Sequence, residues 1–246
     1  MPNKRKSLNR LLSQRGYCSR KAAETLIREG KVKVNGNIVL APFQPVPIDA
    51  TIEIAGAIVS PQKALWHVAM NKRRDVIATT SDERGRATVY DDLRPFLQRH
   101  RISERLFAVG RLDKDTDGLL LFTNDNHFAD FLTNPENRVP KTYRAKLARP
   151  LSNAELARLE SGVQIEARGE TYFAKPESVK LLSPRQIELT LFEGKNREVR
   201  RILEALGNKA ERLTRIRFGN LDLRALGLNE GDCALVRKDD IWRVAN

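Results

Sequence analysis

Asp113 is the residue of this 246-residue chain best placed to do chemistry. It stands in Val109-Gly-Arg-Leu-Asp-Lys-Asp-Thr-Asp-Gly-Leu-Leu-Leu-Phe-Thr-Asn-Asp125, where a short acidic loop runs straight into an apolar stretch. Gly110 and Gly118 permit turns that residues with a side chain resist, and the unbroken run Leu119 to Phe122 reads as a strand covered on both faces. A loop anchored by core in this way can hold a working carboxylate. Calcium binding is the rival chemistry, because Asp113, Asp115, Asp117 and Gly118 match the first half of a calcium loop. Such a loop needs a bidentate Glu at its twelfth position and coordination at its ninth, to reach about 6 to 8 oxygen ligands. Asn124 and Leu121 stand there instead, so Asp115 and Asp117 are read as solvated turn residues.

The elements that must position Asp113 belong to an ordinary folded chain, 41% hydrophobic and 30% charged. A net charge of +13 calls for a polyanionic partner, nucleic acid or an anionic surface. No segment approaches the roughly 20 apolar residues of a membrane span, and the basic start is followed by no signal-peptide core. No membrane association and a cytoplasmic location are expected. Cys18 and Cys233 lack zinc-site spacing and read as reduced thiols; His67, His100 and His127 form no ligand cluster. No metal is expected, and without a Gly-rich phosphate loop no cofactor either.

Ten Lys or Arg against four acids fall in the first sixty residues. Leu8, Leu11 and Leu12 make a helical stripe that Gly16 can end, and Ser19 can cap a second helix with Ala22, Ala23, Leu26 and Ile27 on one face. Lys21 and Arg28 point the other way. Gly30 closes this helix, then Val32 and Val34 alternate with Lys31 and Lys33 into Asn35-Gly36, a strong hairpin signal. Residues 1–60 are therefore a helix-helix-hairpin module with cations along one side, and Ala55 to Lys63 reads as a linker to a second domain over residues 65–246.

Beyond the linker, Trp66 to Met70, Thr142 to Leu147 and Gln186 to Phe192 read as strands. Ser152-Asn-Ala-Glu155 is a capping box for a helix that Gly162 stops. Asn196 can cap a later helix, whose Val199, Ile202, Leu203 and Leu206 form a buried stripe ending at Gly207. Arg197 and Arg201 project away from that stripe, and Arg200 lies at its edge. An α+β fold with a largely antiparallel sheet flanked by helices follows.

Three motifs together resemble the RsuA/RluB-type ribosomal pseudouridine synthases: Gly110-Arg-Leu-Asp113 with Thr116, Gly118 and Thr123-Asn-Asp125; Lys141-Thr-Tyr143; and Glu193-Gly-Lys-Asn-Arg-Glu-Val-Arg-Arg201. The run from Asn196 through Arg212-Leu-Thr-Arg-Ile-Arg-Phe-Gly219 is most similar to the RluB-type branch. Ser19-Arg20, Gly30-Lys-Val32 and Val34-Asn-Gly36 resemble the S-four-type RNA-binding domain, which implies that Arg20, Lys21, Arg28, Lys31 and Lys33 contact RNA. The chain departs from the family at Arg73, where Pro is usual, and at Lys195, Glu198 and Asn126, where Arg, Gln and Gly are common. Glu198 puts a negative charge beside the expected RNA path.

The resemblance implies an enzyme that isomerises a uridine of ribosomal RNA, of the large subunit on the RluB-type pattern, acting as a monomer on RNA that is free or in a precursor particle. It assigns Asp113 as nucleophile, Tyr143 to stack on the flipped uracil, and Arg200 to pair with Asp113 and keep it ionised. Arg111, Lys141, Lys195, Asn196, Arg197 and Arg201 would contact the substrate. Whether Asp113 attacks the ribose or the uracil ring, or acts as a base, stays open. A non-catalytic ribosome-assembly factor with the same basic surfaces is the alternative.

Overall fold

The computed structural model of the chain describes residues 5–59, 64–80, 82, 85–167 and 169–243. Two compact units emerge: Met1–Trp66 with Ser103–Phe107 and Thr123–Asn126, and His67–Ile102 with Ala108–Phe122 and His127–Asn246.

In the first unit, helix Leu8–Gln14 ends before Gly16, whose φ of 75° is the left-handed stop that glycine favours. Helix Arg20–Arg28 starts where Ser19 accepts a hydrogen bond from the Ala22 N–H at 3.2 Å. Its Ala23 and Ile27 are buried, but Ala22 faces solvent. Strand Val32–Val34 turns through Asn35 and Gly36, both at positive φ, into Asn37–Ile38. On its other edge it pairs with Ile52–Ile54, which pairs in turn with Ala57–Ile58. Ala55 and Gly56 thus make a hairpin turn rather than open a linker, because Ala57 and Ile58 continue the sheet. Residues 60–63 of the expected linker, and Lys4 of the basic run, lie outside the described residues. Leu8, Leu12, Ala23, Ile27, Val32 and Ile52 are fully buried and form the unit's core. The Thr123-Asn-Asp125 end of the acidic signature closes on this unit: the Trp66 N–H donates to Asn124 at 2.8 Å, and the Thr123 hydroxyl donates to the Trp66 carbonyl at 2.8 Å.

The second unit is built on a mixed, largely antiparallel sheet, giving the α+β class. Its strands run in the order Ser178–Ser183, Gln186–Leu191, Lys141–Leu147, Ala210–Phe218, Thr116–Thr123, His67–Lys72, Cys233–Leu235. The junction of Ala210–Phe218 with Thr116–Thr123 is parallel, while Lys141–Leu147 is antiparallel to both of its neighbours. All eight residues of Thr116–Thr123 are buried, as the apolar run requires. Gly118 makes the parallel junction sterically possible, because a Cβ there would lie 2.3 Å from the Arg215 carbonyl oxygen. The capping box at Ser152 and Glu155 forms, and Gly162 ends that helix. Among the described residues no helix is long and apolar enough to cross a membrane.

Candidate active site

Asp113 sits half-buried on the loop between Val109 and Thr116, at the wall of a cavity of about 450 Å³. That volume falls in the roughly 300–1,000 Å³ range of small-molecule sites. The loop is held from beneath by Lys72, which is fully buried at the end of its strand. Its Nζ donates to the carbonyls of Thr116 at 2.8 Å, Arg73 at 3.1 Å, Asp113 at 3.2 Å and Lys114 at 3.4 Å. Burial pulls this ammonium down to about 8, against the pull of Asp117, Asp115, Asp113 and Asp75. The Asp113 carbonyl also accepts the Thr116 N–H at 3.1 Å, closing the turn.

The sheet supplies the floor. Tyr143 and Lys141 alternate inward from their strand, both buried, and line the cavity with Leu191, Leu213, Arg215 and Phe218. The Lys141 ammonium donates to the Phe192 carbonyl at 2.9 Å and to the Val139 carbonyl at 3.2 Å. Burial, then repulsion from Arg215, brings it down to about 8, with Glu198 acting in the opposite sense.

The third wall is the entry to helix Glu198–Ala205. Asn196 does not cap it. Arg197 holds the capping position in the left-handed region, at φ 53°, a conformation that residues with a side chain rarely adopt. Glu198 closes the turn by accepting the Lys195 N–H at 3.1 Å. Its carboxyl is buried rather than exposed at the surface, and desolvation, the largest cause, raises it. Arg197 reaches Asp115 with Nη1 at 3.1 Å.

Arg200 also goes to Asp115, not to Asp113. Its Nη2 donates to the Asp115 carbonyl at 2.9 Å and forms an ion pair with the Asp115 carboxylate at 3.2 Å, and Nη1 donates to the Ala210 carbonyl at 3.2 Å. The expected Arg200–Asp113 pairing is corrected on geometry: the turn carries Asp115 into the helix while Asp113 faces the cavity. Burial lowers the Arg200 guanidinium, and the charges of Asp115 and, further down, Asp113 oppose that. Asp115 and Asp117 are not solvated turn residues. Asp117 is 1% exposed and meets Nε of Arg212 at 2.8 Å.

Of the residues expected at the site, Arg111, Asp113, Lys141, Tyr143, Lys195, Asn196 and Arg197 come together around the cavity. Arg200 lies behind it. Arg201 turns away, donating to the carbonyls of Asn196 and Glu166. Sequence reasoning missed Lys72, Thr116 and Arg215 as site residues. Thr116 was marked by the motif itself, whereas nothing in the pattern separates a buried strand-end lysine from one that reaches solvent. Arg73, another of the departures, forms a bidentate pair with Asp92 at 2.8 and 2.9 Å.

Residues 67–205 match the family model described as RNA pseudouridylate synthase, and residues 7–52 match the S4 domain. The chain belongs to the RNA pseudouridylate synthase family. It is therefore an isomerase carrying an S4 RNA-binding element. It is 37% identical to ribosomal large subunit pseudouridine synthase B of Bacillus subtilis over 96% of this chain and 94% of that one. To the protein of the same name in Haemophilus influenzae it is 39% identical, over 88% of this chain and 60% of that one. A crystal structure of a pseudouridylate synthase superposes with a TM-score of 0.68 at 28% identity, covering 96% of this chain and 97% of that one.

Proposed function

We propose that this synthase converts a uridine of large-subunit ribosomal RNA to pseudouridine, with Asp113 as the reacting carboxylate and the flipped base stacked on Tyr143. The carrying observation is the cavity that gathers Asp113, Tyr143 and Lys141 beside Arg111 and Arg197, with the catalytic loop tied down by Lys72 and, through Asp115, by Arg200. Likeness to large-subunit synthases over almost the whole chain supports the choice of RNA.

Extruding a paired or stacked uridine costs a few kcal/mol, and stacking on an aromatic ring returns about 1 to 3 kcal/mol. Cationic contacts to phosphate supply the rest. Arg111, Lys195, Asn196 and Arg197 are exposed at the rim and suited to backbone contacts; Arg20, Lys21, Arg28, Lys31 and Lys33 are exposed on the first unit and suited to an RNA stem or loop. The chain acts as a monomer in this reading. Mapping pseudouridines in ribosomal RNA from cells with and without the protein tests it: loss of a large-subunit site supports the assignment, and an unchanged large-subunit map overturns it.

A further inference from the structure

Two polar atoms of cavity-lining residues have no partner among the described residues: Nη2 of Arg215 and Oγ1 of Thr116. Both residues are 2% exposed. They stand on adjacent parallel strands, Thr116 opposite Leu213 and Gly118 opposite Arg215. Across the other edge of its strand, Arg215 pairs directly with Tyr143. Directly paired residues project from the same face of a sheet, so Arg215 leaves the same face as the ring on which a base would stack, and both line the cavity. The Arg215 side chain is fixed rather than adaptable. Its Nε donates to the Leu119 carbonyl at 2.7 Å, and its guanidinium carbon lies 5.0 Å from the centre of the Phe218 ring.

No carboxylate pairs with Arg215 among the described residues. A buried cation without a counter-charge is expensive, and an unsatisfied buried donor adds about 1 to 3 kcal/mol. Such an arrangement persists where a ligand completes it. We propose that Arg215 and Thr116 donate hydrogen bonds to the carbonyl oxygens of the extruded uracil and stabilise the negative charge that the base develops during isomerisation. This rests on the assignment of the cavity to the target uridine.

The charge arises by any route open to Asp113. When the N1–C1′ bond breaks, its electron pair stays with uracil, spread over N1, O2 and O4. The base turns, C5 bonds to C1′, the C5 proton leaves and N1 takes one up. Attack on the ring at C6 instead pushes electrons onto O4. Fixed donors placed where an oxyanion develops act in the chemical step, and removal of one costs about 100- to 1,000-fold in rate.

Arg215→Gln, Arg215→Lys and Thr116→Val are compared with the wild-type chain and Asp113→Asn for RNA affinity, for saturating single-turnover release of the C5 proton as tritium, and for Tm. The expected result is a saturating rate lowered about 100-fold in Arg215→Gln, less in Arg215→Lys and about tenfold in Thr116→Val, at unchanged Kd. A wild-type rate in Arg215→Gln, or weakened Kd at an unchanged saturating rate, overturns the proposal. Should the Arg215 variants fail to fold, Thr116→Val decides, and a wild-type rate there overturns it. An inert wild-type chain removes the cavity assignment as well; an active wild-type chain with inert Asp113→Asn and active floor variants removes the floor alone.

Discussion

Arg200 grips Asp115 at two points, with Nη2 donating to the carbonyl at 2.9 Å and paired by charge with the carboxylate at 3.2 Å. With Nη1 on the Ala210 carbonyl, the guanidinium joins a helix, a strand and the loop that carries Asp113. Misplacing a reacting group by about 1 Å can cost 100-fold in rate. Arg200→Ala is expected to lose about that much, together with several degrees of Tm, and Asp115→Asn about tenfold because the carbonyl contact survives. If Arg200 instead served Asp113 directly, Asp115→Asn would turn over at the wild-type rate.

Asp113→Asn should abolish product while leaving Tm and RNA affinity close to wild type, since the change is nearly isosteric and removes a half-buried charge at the cavity wall. Tritium release from uracil-labelled ribosomal RNA under single-turnover conditions reads this. Turnover near the wild-type rate would remove Asp113 from the reaction.

The acidic loop and the strand after it were legible because glycine placement and an unbroken apolar run have few alternatives. What the loop's acids touch was not legible. Asp115 and Asp117 look alike and solvated in sequence, yet each meets an arginine more than eighty positions away, Arg197 and Arg200 for one and Arg212 for the other. Arg215 was hidden for a related reason. A run of arginines in a strand reads as a basic surface, and only the pairing with Tyr143 and Gly118 shows that this one is turned into the core.

Lys72 gives a stability prediction whose sign is fixed by linkage. Its folded pKa of about 8 lies below the unfolded value near 10.4, so between those limits the unfolded chain binds more protons and the lysine's contribution to stability rises with pH. Lys72→Met should therefore be more destabilising, relative to wild type, at pH 10 than at pH 7, by about 1 to 3 kcal/mol. Urea denaturation of both proteins across that range checks it. A gap independent of pH would mean that Lys72 titrates normally.

Lys141, also at about 8, faces the cavity, and its charge is lost as pH rises through that value. The saturating rate should fall above about pH 8, and Lys141→Arg should move the fall upward, because a guanidinium stays charged. An unmoved alkaline limb would assign it to Lys72 or to the RNA.

Lys21 and Arg28 lie seven residues apart on the solvent face of one helix, away from buried Ala23 and Ile27, so their charges can be reversed without disturbing the core of their unit. This is a cleaner test of RNA anchoring than deleting residues 1–60. The first unit also takes in Ser103–Phe107 and Thr123–Asn126, so deleting residues 1–60 would cut through a compact unit rather than remove a whole one. Removing one cation from a phosphate lowers the logarithmic salt slope by about 0.7 to 0.9. Lys21→Glu with Arg28→Glu should therefore flatten the slope by about 1.5 to 2 and weaken binding of a ribosomal RNA fragment. At saturating RNA the single-turnover rate should stay within about twofold of wild type, since neither side chain belongs to the unit that holds the cavity. An unchanged affinity and slope would show that this helix face does not meet RNA. A rate that stays low at saturation would show that the S4 element also orients the target uridine.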